Sequence, residues 1–179
     1  MEFAKLLAAR RSIRTFDGTK KVTSAQLEQI LAAAQEAPSW KNTETGRYYC
    51  VTSEEVLTQL AANCLPSFNA NSSKGAALLV ATFAANRAGF DKTTGKADNE
   101  VGNGWGYYDL GLQNALLILK ARELGLDTLI MGIRDEAQLR HLLHIPAEEL
   151  LGPVIAVGYR AKDPLKPPRK ALAEIAKFY

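Results

Sequence analysis

The longest apolar segment of this 179-residue chain, between Tyr107 and Leu124, limits its folding more than any other feature. Its spacing predicts a helix whose apolar side chains cover nearly all sides rather than a single stripe. These side chains are Tyr108, Leu110, Leu112, Leu116, Leu117, Ile118, Leu119 and Leu124. A helix that is apolar all round has to be buried on several faces. In a chain of this length we expect a second subunit to provide part of that burial.

Shorter apolar segments predict much of the remaining secondary structure. Strands are expected at residues 47–52, 76–83, 128–133 and 153–159. Another helix begins at Thr23, because Thr23 and Gln26 form a capping-box pair and apolar residues follow at helical spacing. No internal repeat or linker is evident, so we expect one domain over residues 1–179. Strands and helices do not alternate regularly, which argues against a doubly wound sheet.

Composition and charge exclude several classes of protein. Hydrophobic residues make up 47% of the chain and charged residues 23%, which are ordinary values for a globular protein. The net charge is only +3, so a broad basic surface for binding nucleic acid is not expected. Cys50 and Cys64 are too few for a disulfide framework or a zinc site, and they suit a reducing compartment. With no signal-peptide pattern and no segment of membrane-spanning length, we expect a soluble cytoplasmic protein.

Three arginines occur within the sequence RRSIRTF at residues 10–16. Arginine carries a permanent charge and a planar fork of donors that suits phosphates and carboxylates. Ser12 adds a hydroxyl, and Ile13 with Phe16 indicates a packed segment rather than a solvated run of charge. We interpret the cluster as a binding site for a phosphate-bearing cofactor. A nucleic-acid-binding module is the alternative, and it predicts binding that depends steeply on salt.

No side chain stands out as catalytic or metal-binding. The chain has no serine or cysteine in a nucleophile-elbow sequence. His141 and His144 are three positions apart on a predicted helix, without an evident cysteine or carboxylate partner, so we expect no metal. The sequences GFDKTTGKA at 89–97 and VGNGWG at 101–106 match neither a phosphate loop nor a dinucleotide fingerprint. We interpret both as flexible loops.

Four stretches together resemble the FMN-dependent nitroreductase family, and the resemblance runs over nearly the whole chain. They are RRSIRTF at 10–16, APSWKN at 37–42, GLDTLIMGI at 125–133 and GPVIAVGYRAKDPLKPPRK at 152–170. The resemblance implies an α+β nitroreductase-like fold, in which helices flank a mixed central β-sheet. It also implies FMN as the cofactor and an intertwined homodimer as the assembly.

The resemblance assigns the FMN contacts by position. Contacts to the phosphate and the ribityl chain fall on Arg10, Arg11, Ser12, Arg169 and Lys170. Contacts to the isoalloxazine fall on Arg14 near the N1–O2 edge, and on Ile130, Met131 and Gly132 near N5. The pyrimidine edge is met by Asn69, or alternatively by Asn71 with Lys74. A turn carrying Pro38, Ser39 and Asn42 is expected to reach the FMN of the other subunit.

The implied activity is a ping-pong reaction in which NADH or NADPH passes a hydride to N5 of FMN. An electron-poor acceptor, such as a nitroaromatic or a quinone, then takes the electrons. The flavin performs the chemistry, so no catalytic side chain is needed, and Arg14 stabilises the reduced ring. Residues 43–46 are TETG where the family usually has x-Gln-Pro-Trp, so the substrate range is not implied. The alternatives are a non-catalytic flavin-binding or storage protein, and a specialised member that fragments flavin or dehalogenates a substrate.

Overall fold

The centre of the computed structural model, which describes residues 2–179, is a sheet of four strands. The strands are β1 (Gly46–Val51), β2 (Ala77–Ala84), β3 (Asp127–Met131) and β4 (Glu149–Gly158). They lie in the order β1-β2-β4-β3, so β1 and β3 form opposite edges of the sheet. Each strand overlaps a segment that the sequence predicts, although β4 begins earlier than expected.

Seven α-helices within residues 2–179 accompany the sheet. They are α1 (Phe3–Ala9), α2 (Ser24–Gln35), α3 (Glu54–Cys64), α4 (Ser67–Ser73), α5 (Gly104–Glu123), α6 (Glu136–Leu143) and α7 (Leu172–Ile175). The capping box that the sequence predicts begins α2, since the Thr23 hydroxyl accepts from the Gln26 backbone N–H at 3.2 Å. A short 3-10 turn covers Trp40–Asn42. Among the described helices, none combines the length and apolar character needed to span a membrane.

Neighbouring strands pair antiparallel throughout, whereas the sequence analysis led us to expect a mixed sheet. The connections explain the difference. Both α3–α4 and α6 return the chain to the end of the sheet that it left, where Val51 lies opposite Leu78 and Met131 opposite Val154. The next strand therefore runs back along its neighbour. β2 and β3 do run in the same direction, but β4 separates them.

The two faces of the sheet carry separate clusters of buried apolar side chains. Successive side chains of a strand point to opposite faces, so Leu78 of β2 packs with α3 and α6, while Leu79 packs with α2 and α5. Leu60 and Leu139 represent the first cluster, and Ile30 the second. The sheet is thus covered by helices on both sides, and the ends and edges of its strands remain available for a site.

Helix α5 buries one stripe of its surface, consisting of Gly106, Asp109, Leu110, Gln113, Asn114, Leu117 and Ala121. Three members of that stripe are polar, whereas Leu112, Leu116 and Leu119 are only half-buried. Tyr108 is 59% exposed. The apolar pattern read from the sequence therefore belongs to two faces, of which a single chain covers one. The other face presents apolar surface of the kind that another molecule commonly covers.

Candidate functional site

The arginine-rich segment at residues 10–16 lies against the ends of β3 and β4. Ile13 is 1% exposed and Phe16 is also buried, so both side chains anchor the segment in the core. Ser12 forms a parallel bridge with Thr128, and the Ile13 N–H donates to the Thr128 carbonyl at 3.0 Å. The packed segment that the alternating sequence predicts is therefore present. It holds Arg10 half-buried and Arg14 exposed beside the β3 edge.

A buried ion-pair network fixes the base of this segment. The guanidinium of Arg160 donates to both carboxylate oxygens of Asp127 at 2.6 Å, and Arg122 donates to the same carboxylate at 3.0 Å. Arg160 also reaches the Ala9 carbonyl at 3.4 Å, at the end of α1. The hydrogen bond to Asp127 is the largest of the effects that raise the pKa of Arg160. The network joins the arginine-rich segment to the start of β3.

This network is not among the features predicted from the sequence. Asp127 is almost fully buried within the apolar strand β3, and an acidic residue inside an apolar run is a signal that a buried partner exists. The spacing of residues in the sequence does not identify the partner, because Arg160 follows β4 and is therefore distant from Asp127 along the chain.

Arg11 is used differently from Arg10 and Arg14. One terminal nitrogen of its guanidinium donates to the carbonyls of Ala8 and Arg10, both at 2.7 Å. It therefore satisfies carbonyl groups at the C-terminal end of α1, which would otherwise lack partners. In contrast, the side chains of Arg10 and Arg14 form no hydrogen bond or ion pair with any described residue. These two arginines are the ones free to meet an anion.

Arg14, Asn71 and Lys74 line one cleft of about 1070 Å³, which we call the basic cleft. Its other lining residues are Thr15, Phe16, Gly18, Lys21, Val22, Thr52, Glu54, Leu57, Thr58, Ala61, Ala62, Ala70, Ser73, Gly75, Ala76, Ala77 and Leu78. The cleft brings together three of the residues that the resemblance assigns to the flavin ring.

Two glycines allow the walls of the basic cleft to approach each other. Gly75 has φ +87°, a conformation that glycine adopts without strain. A Cβ atom on Gly75 would lie 2.9 Å from the Cα of Gly18, which is too close for a real contact. The absence of both side chains therefore sets the separation between the segment after Arg14 and the segment that carries Lys74.

The structure separates the two candidates for the pyrimidine edge. Asn69 is buried, and its side-chain amide donates to the carbonyl of Ile133 at 2.9 Å, which ties α4 to the segment after β3. Asn71 is exposed and lines the basic cleft with Lys74. The geometry therefore favours Asn71 with Lys74 as the ligand-facing pair and gives Asn69 a structural contact.

The end of β3 exposes backbone rather than functional side chains. Met131 is 2% exposed and belongs to the core, whereas Ile130 is 46% exposed on the sheet edge. A Cβ atom added to Gly132 would have no atom within 4 Å, so the space beside this glycine is open. Because position 132 carries no side chain, a planar ligand could approach the backbone here.

The turn with Pro38, Ser39 and Asn42 precedes β1, at the sheet edge opposite β3. The Ser39 hydroxyl accepts from the Glu44 N–H at 3.0 Å, and the Asn42 amide donates to the Glu44 carboxylate at 2.8 Å. The Trp40 N–H donates to Asp109 of α5 at 2.8 Å. A single chain thus places this turn and the arginine-rich segment on opposite edges.

A smaller cavity of about 430 Å³ lies between α2, β1 and α5, beside the TETG sequence. Gly46 and Gln113 line it, and a Cβ atom on Gly46 would lie 1.8 Å from the Gln113 Oε1 atom. That oxygen is buried without a hydrogen-bond partner among residues 2–179. The last residue of the TETG sequence therefore borders a buried polar group that lacks a partner.

The structure does not bring Arg169 and Lys170 to the other candidates. Both are exposed on the chain after β4, and neither lines the basic cleft. Arg169 makes only long local contacts, at 3.4 and 3.5 Å, to the carbonyls of Pro168 and Pro167. Their assignment to the phosphate remains a prediction from the resemblance.

Comparison with known proteins gives the family. The model of the Nitroreductase family matches residues 7–159, which is most of the chain. This chain belongs to the nitroreductase family. The match includes the arginine-rich segment, the basic cleft and the turn before β1, and it ends before the exposed tail that carries Arg169 and Lys170.

Two relatives bear names from the same family. A protein of Bacillus subtilis named as an NAD(P)H nitroreductase, YdgI, is 32% identical over 83 residues, which span 46% of this chain and 39% of that protein. A protein of Archaeoglobus fulgidus, named as an NADH dehydrogenase or NAD(P)H nitroreductase, is 27% identical over 167 residues, covering 88% and 85% of the two chains. These names support an oxidoreductase.

Solved structures confirm the nitroreductase fold. The crystal structure of a protein from Exiguobacterium sibiricum that is named as a nitroreductase, in complex with FMN, superposes with a TM-score of 0.80 at 23% identity. The superposition covers all of this chain and 98% of the other. The α+β architecture expected from the sequence is therefore correct.

Proposed function

We propose that this nitroreductase-family protein is an FMN-dependent oxidoreductase. In the proposed reaction NADH or NADPH donates a hydride, FMN carries it, and an electron-poor acceptor such as a nitroaromatic or a quinone receives it. The observation that carries the proposal is the gathering of Arg14, Lys74 and Asn71 in one cleft beside the segment that holds Arg10. The cationic side chains of Arg10, Arg14 and Lys74 form no ion pair with a described carboxylate.

The residues present fit the chemistry of FMN. Its phosphate is a dianion, for which the free guanidinium of Arg10 and the hydroxyl of Ser12 provide a charged donor and a neutral one. The pyrimidine edge of the ring presents oxygen and nitrogen acceptors. Arg14, Lys74 and the amide of Asn71 supply donors to match them. The open backbone at Gly132 leaves room for a flat ring against the end of β3.

The side chains would bind, orient and stabilise rather than react. Arg10 would hold the phosphate whichever redox state is present. Arg14 would place a fixed positive charge at the ring edge on which electron transfer places negative charge, and such a preorganised charge stabilises that state. Asn71 would orient the ring through its amide. No side chain is required as a nucleophile or as a metal ligand.

We infer that the working form is a homodimer. The turn at Pro38–Asn42 lies on the sheet edge opposite the arginine-rich segment, so one chain does not bring together all the residues that the resemblance assigns to FMN. A second copy could supply the missing turn to each site. The exposed apolar face of α5 supports this assembly, as does the exposed tail, in which Leu165 is 95% exposed and Phe178 86% exposed.

Steady-state kinetics test the proposal. Purified protein loaded with FMN is mixed with NADH or NADPH in the absence of oxygen, and the absorbance of the nicotinamide is followed with and without menadione or 4-nitrobenzoate. We expect oxidation that is sustained only when an acceptor is present. Tightly bound FMN without any acceptor-dependent oxidation would contradict an oxidoreductase and favour a flavin-binding protein without catalysis.

A further inference from the structure

The basic cleft is larger than a contact with one edge of a flavin requires. Its volume of about 1070 Å³ is slightly above the range of roughly 300–1,000 Å³ that is typical of small-molecule sites. The residues assigned to the ring, Arg14, Asn71 and Lys74, occupy part of its lining. Another part, formed by α3 and by Lys21 and Val22, has no role in the proposed FMN site.

This second part of the lining combines charge with apolar surface. Leu57, Ala61 and Val22 provide apolar contacts that are only partly covered by the rest of the chain. Lys21 is exposed beside them, and within residues 2–179 its ammonium group forms no ion pair or hydrogen bond. A ligand with an apolar body and one anionic group would match both features.

The charge balance of the cleft sets the sign of the ligand. Three cationic side chains, Arg14, Lys21 and Lys74, line it against a single carboxylate, Glu54. Like charges that share a concave site repel one another, and an anion relieves that repulsion. A cation would add to it.

We propose that the basic cleft binds a small organic carboxylate, with its carboxylate near Lys21 and its apolar body against α3. The proposed carboxylate site lies in the same cleft as Arg14 and Lys74 of the proposed flavin site. If FMN is bound as proposed, the added negative charge would offset part of the positive charge at the ring edge. The reduction potential of the flavin would then fall when the carboxylate binds, and reduction of the flavin would weaken carboxylate binding by the same factor.

Calorimetric titration tests the site with 4-phenylbutyrate as the probe and 4-phenylbutanol as its neutral counterpart. The protein is the FMN-loaded form, and its absorbance shows whether FMN stays bound. We expect one 4-phenylbutyrate per chain, no release of FMN, and binding of 4-phenylbutanol weaker by about tenfold, as for loss of a charge-assisted contact.

Three variants locate the site. Lys21→Gln should weaken 4-phenylbutyrate binding about three- to tenfold, the effect of a partly exposed charge. Ala61→Phe should abolish binding by filling the space beside α3. Lys20→Gln is the matched control, because Lys20 is the neighbouring lysine but pairs with Asp17 at 3.5 Å and does not line the cleft. It should bind the probe like the wild type.

The outcomes separate this proposal from the proposed function. No binding of 4-phenylbutyrate, or equal weakening by Lys20→Gln and Lys21→Gln, would overturn the carboxylate site. Displacement of FMN by the probe would show that the cleft is the flavin site alone. Binding without any change in the flavin potential would overturn the coupling. A chain that binds the probe but takes up no FMN would instead contradict the proposed function.

Discussion

At the scale of single residues, Arg10 and Arg14 carry the same charge on the same short segment, yet the proposed site gives them different tasks. Arg10 would meet a phosphate whose charge is constant, whereas Arg14 would meet a ring edge whose charge changes on reduction. Only an interaction that differs between two states can change the equilibrium between them. The two arginines should therefore be separable by measurement.

Replacing Arg10 by Ala should weaken FMN binding about ten- to a hundredfold, the range for a hydrogen bond of roughly 1.5–3 kcal/mol to a charged group. The potential of the bound flavin should stay nearly unchanged. Arg14→Ala should instead lower the potential and slow reduction by NAD(P)H, even when FMN is saturating. Potentiometric titration of both variants is the measurement. A shifted potential in Arg10→Ala with none in Arg14→Ala would reverse the assignment.

Gly46 is the second residue with a definite prediction. Gly46→Ala should destabilise the fold by less than the roughly 1–3 kcal/mol usual for overpacking, because the new Cβ overlaps only the flexible end of Gln113, which borders a cavity. Gln113→Ala should remove most of that cost when the two changes are combined. Denaturant unfolding of the two single variants and the double variant gives the coupling. Additive effects would show that Gln113 does not obstruct a side chain at position 46.

At the scale of elements, a buried carboxylate connects the turn before β1 to α5. Asp109 accepts from the Trp40 N–H, and the rings of Trp40 and Trp105 lie 4.7 Å apart between the same two elements. Burial raises the pKa of the Asp109 carboxyl, and the hydrogen bond from Trp40 opposes that rise. The position of the turn, and with it Ser39 and Asn42, depends on a carboxyl group whose charged form is disfavoured by burial.

The raised pKa of Asp109 predicts that the stability of the fold depends on pH. A carboxyl whose pKa is raised by folding is stabilising below its ordinary pKa, and that stability is lost as the pH rises through the raised value. Asp109→Asn should therefore unfold at a higher temperature than the wild type at neutral pH, and the difference should narrow as the pH falls.

Asp91→Asn is the control with the opposite sign, since hydrogen bonds from Thr94 lower the pKa of Asp91. It should reduce the unfolding temperature at neutral pH, with a loss that disappears in acid. Thermal unfolding across the pH range measures both variants. An Asp109→Asn protein that is less stable than the wild type at neutral pH would contradict the effect of burial.

The elements also show what a sequence can and cannot reveal. The start of α2 was predictable because Thr23 and Gln26 are local partners. The antiparallel pairing of neighbouring strands was not predictable, since it depends on the end of the sheet to which α3, α4 and α6 return the chain. The division of α5 into a buried face and an exposed face was not predictable either, because its buried polar residues have partners that are distant in the sequence. For example, the Tyr48 hydroxyl donates to Asn114 at 2.9 Å.

The same distinction applies to the candidate site. Ile13 and Phe16 indicated a packed segment, and both are buried. The choice between Asn69 and Asn71 needed the structure, since both residues lie on α4 and only the contact of Asn69 with Ile133 distinguishes them. Arg11 likewise resembles its neighbours in the sequence but is occupied by the end of α1.

At the scale of the whole molecule, the proposed FMN site requires two copies of the chain. Ala115 lies on the exposed side of α5, where a second copy is proposed to pack. Ala115→Arg should place a charge in that interface, so it should dissociate the dimer and release FMN. Ala137→Arg adds the same charge to an exposed position of α6 and should leave both unchanged.

Sedimentation velocity, followed by the absorbance of both protein and flavin, measures these variants. The wild type should sediment as a dimer that carries flavin, even when dilute. A wild-type monomer that still holds FMN tightly would contradict the shared site.

We propose that this chain binds FMN, and the flavin that the purified protein releases is the decisive test. The protein is denatured, and the released cofactor is identified by chromatography and quantified against the number of chains. We expect a yellow protein that releases FMN, close to one per chain after saturation with added FMN. FAD as the main released flavin, or a colourless protein that takes up no FMN on titration, would contradict it.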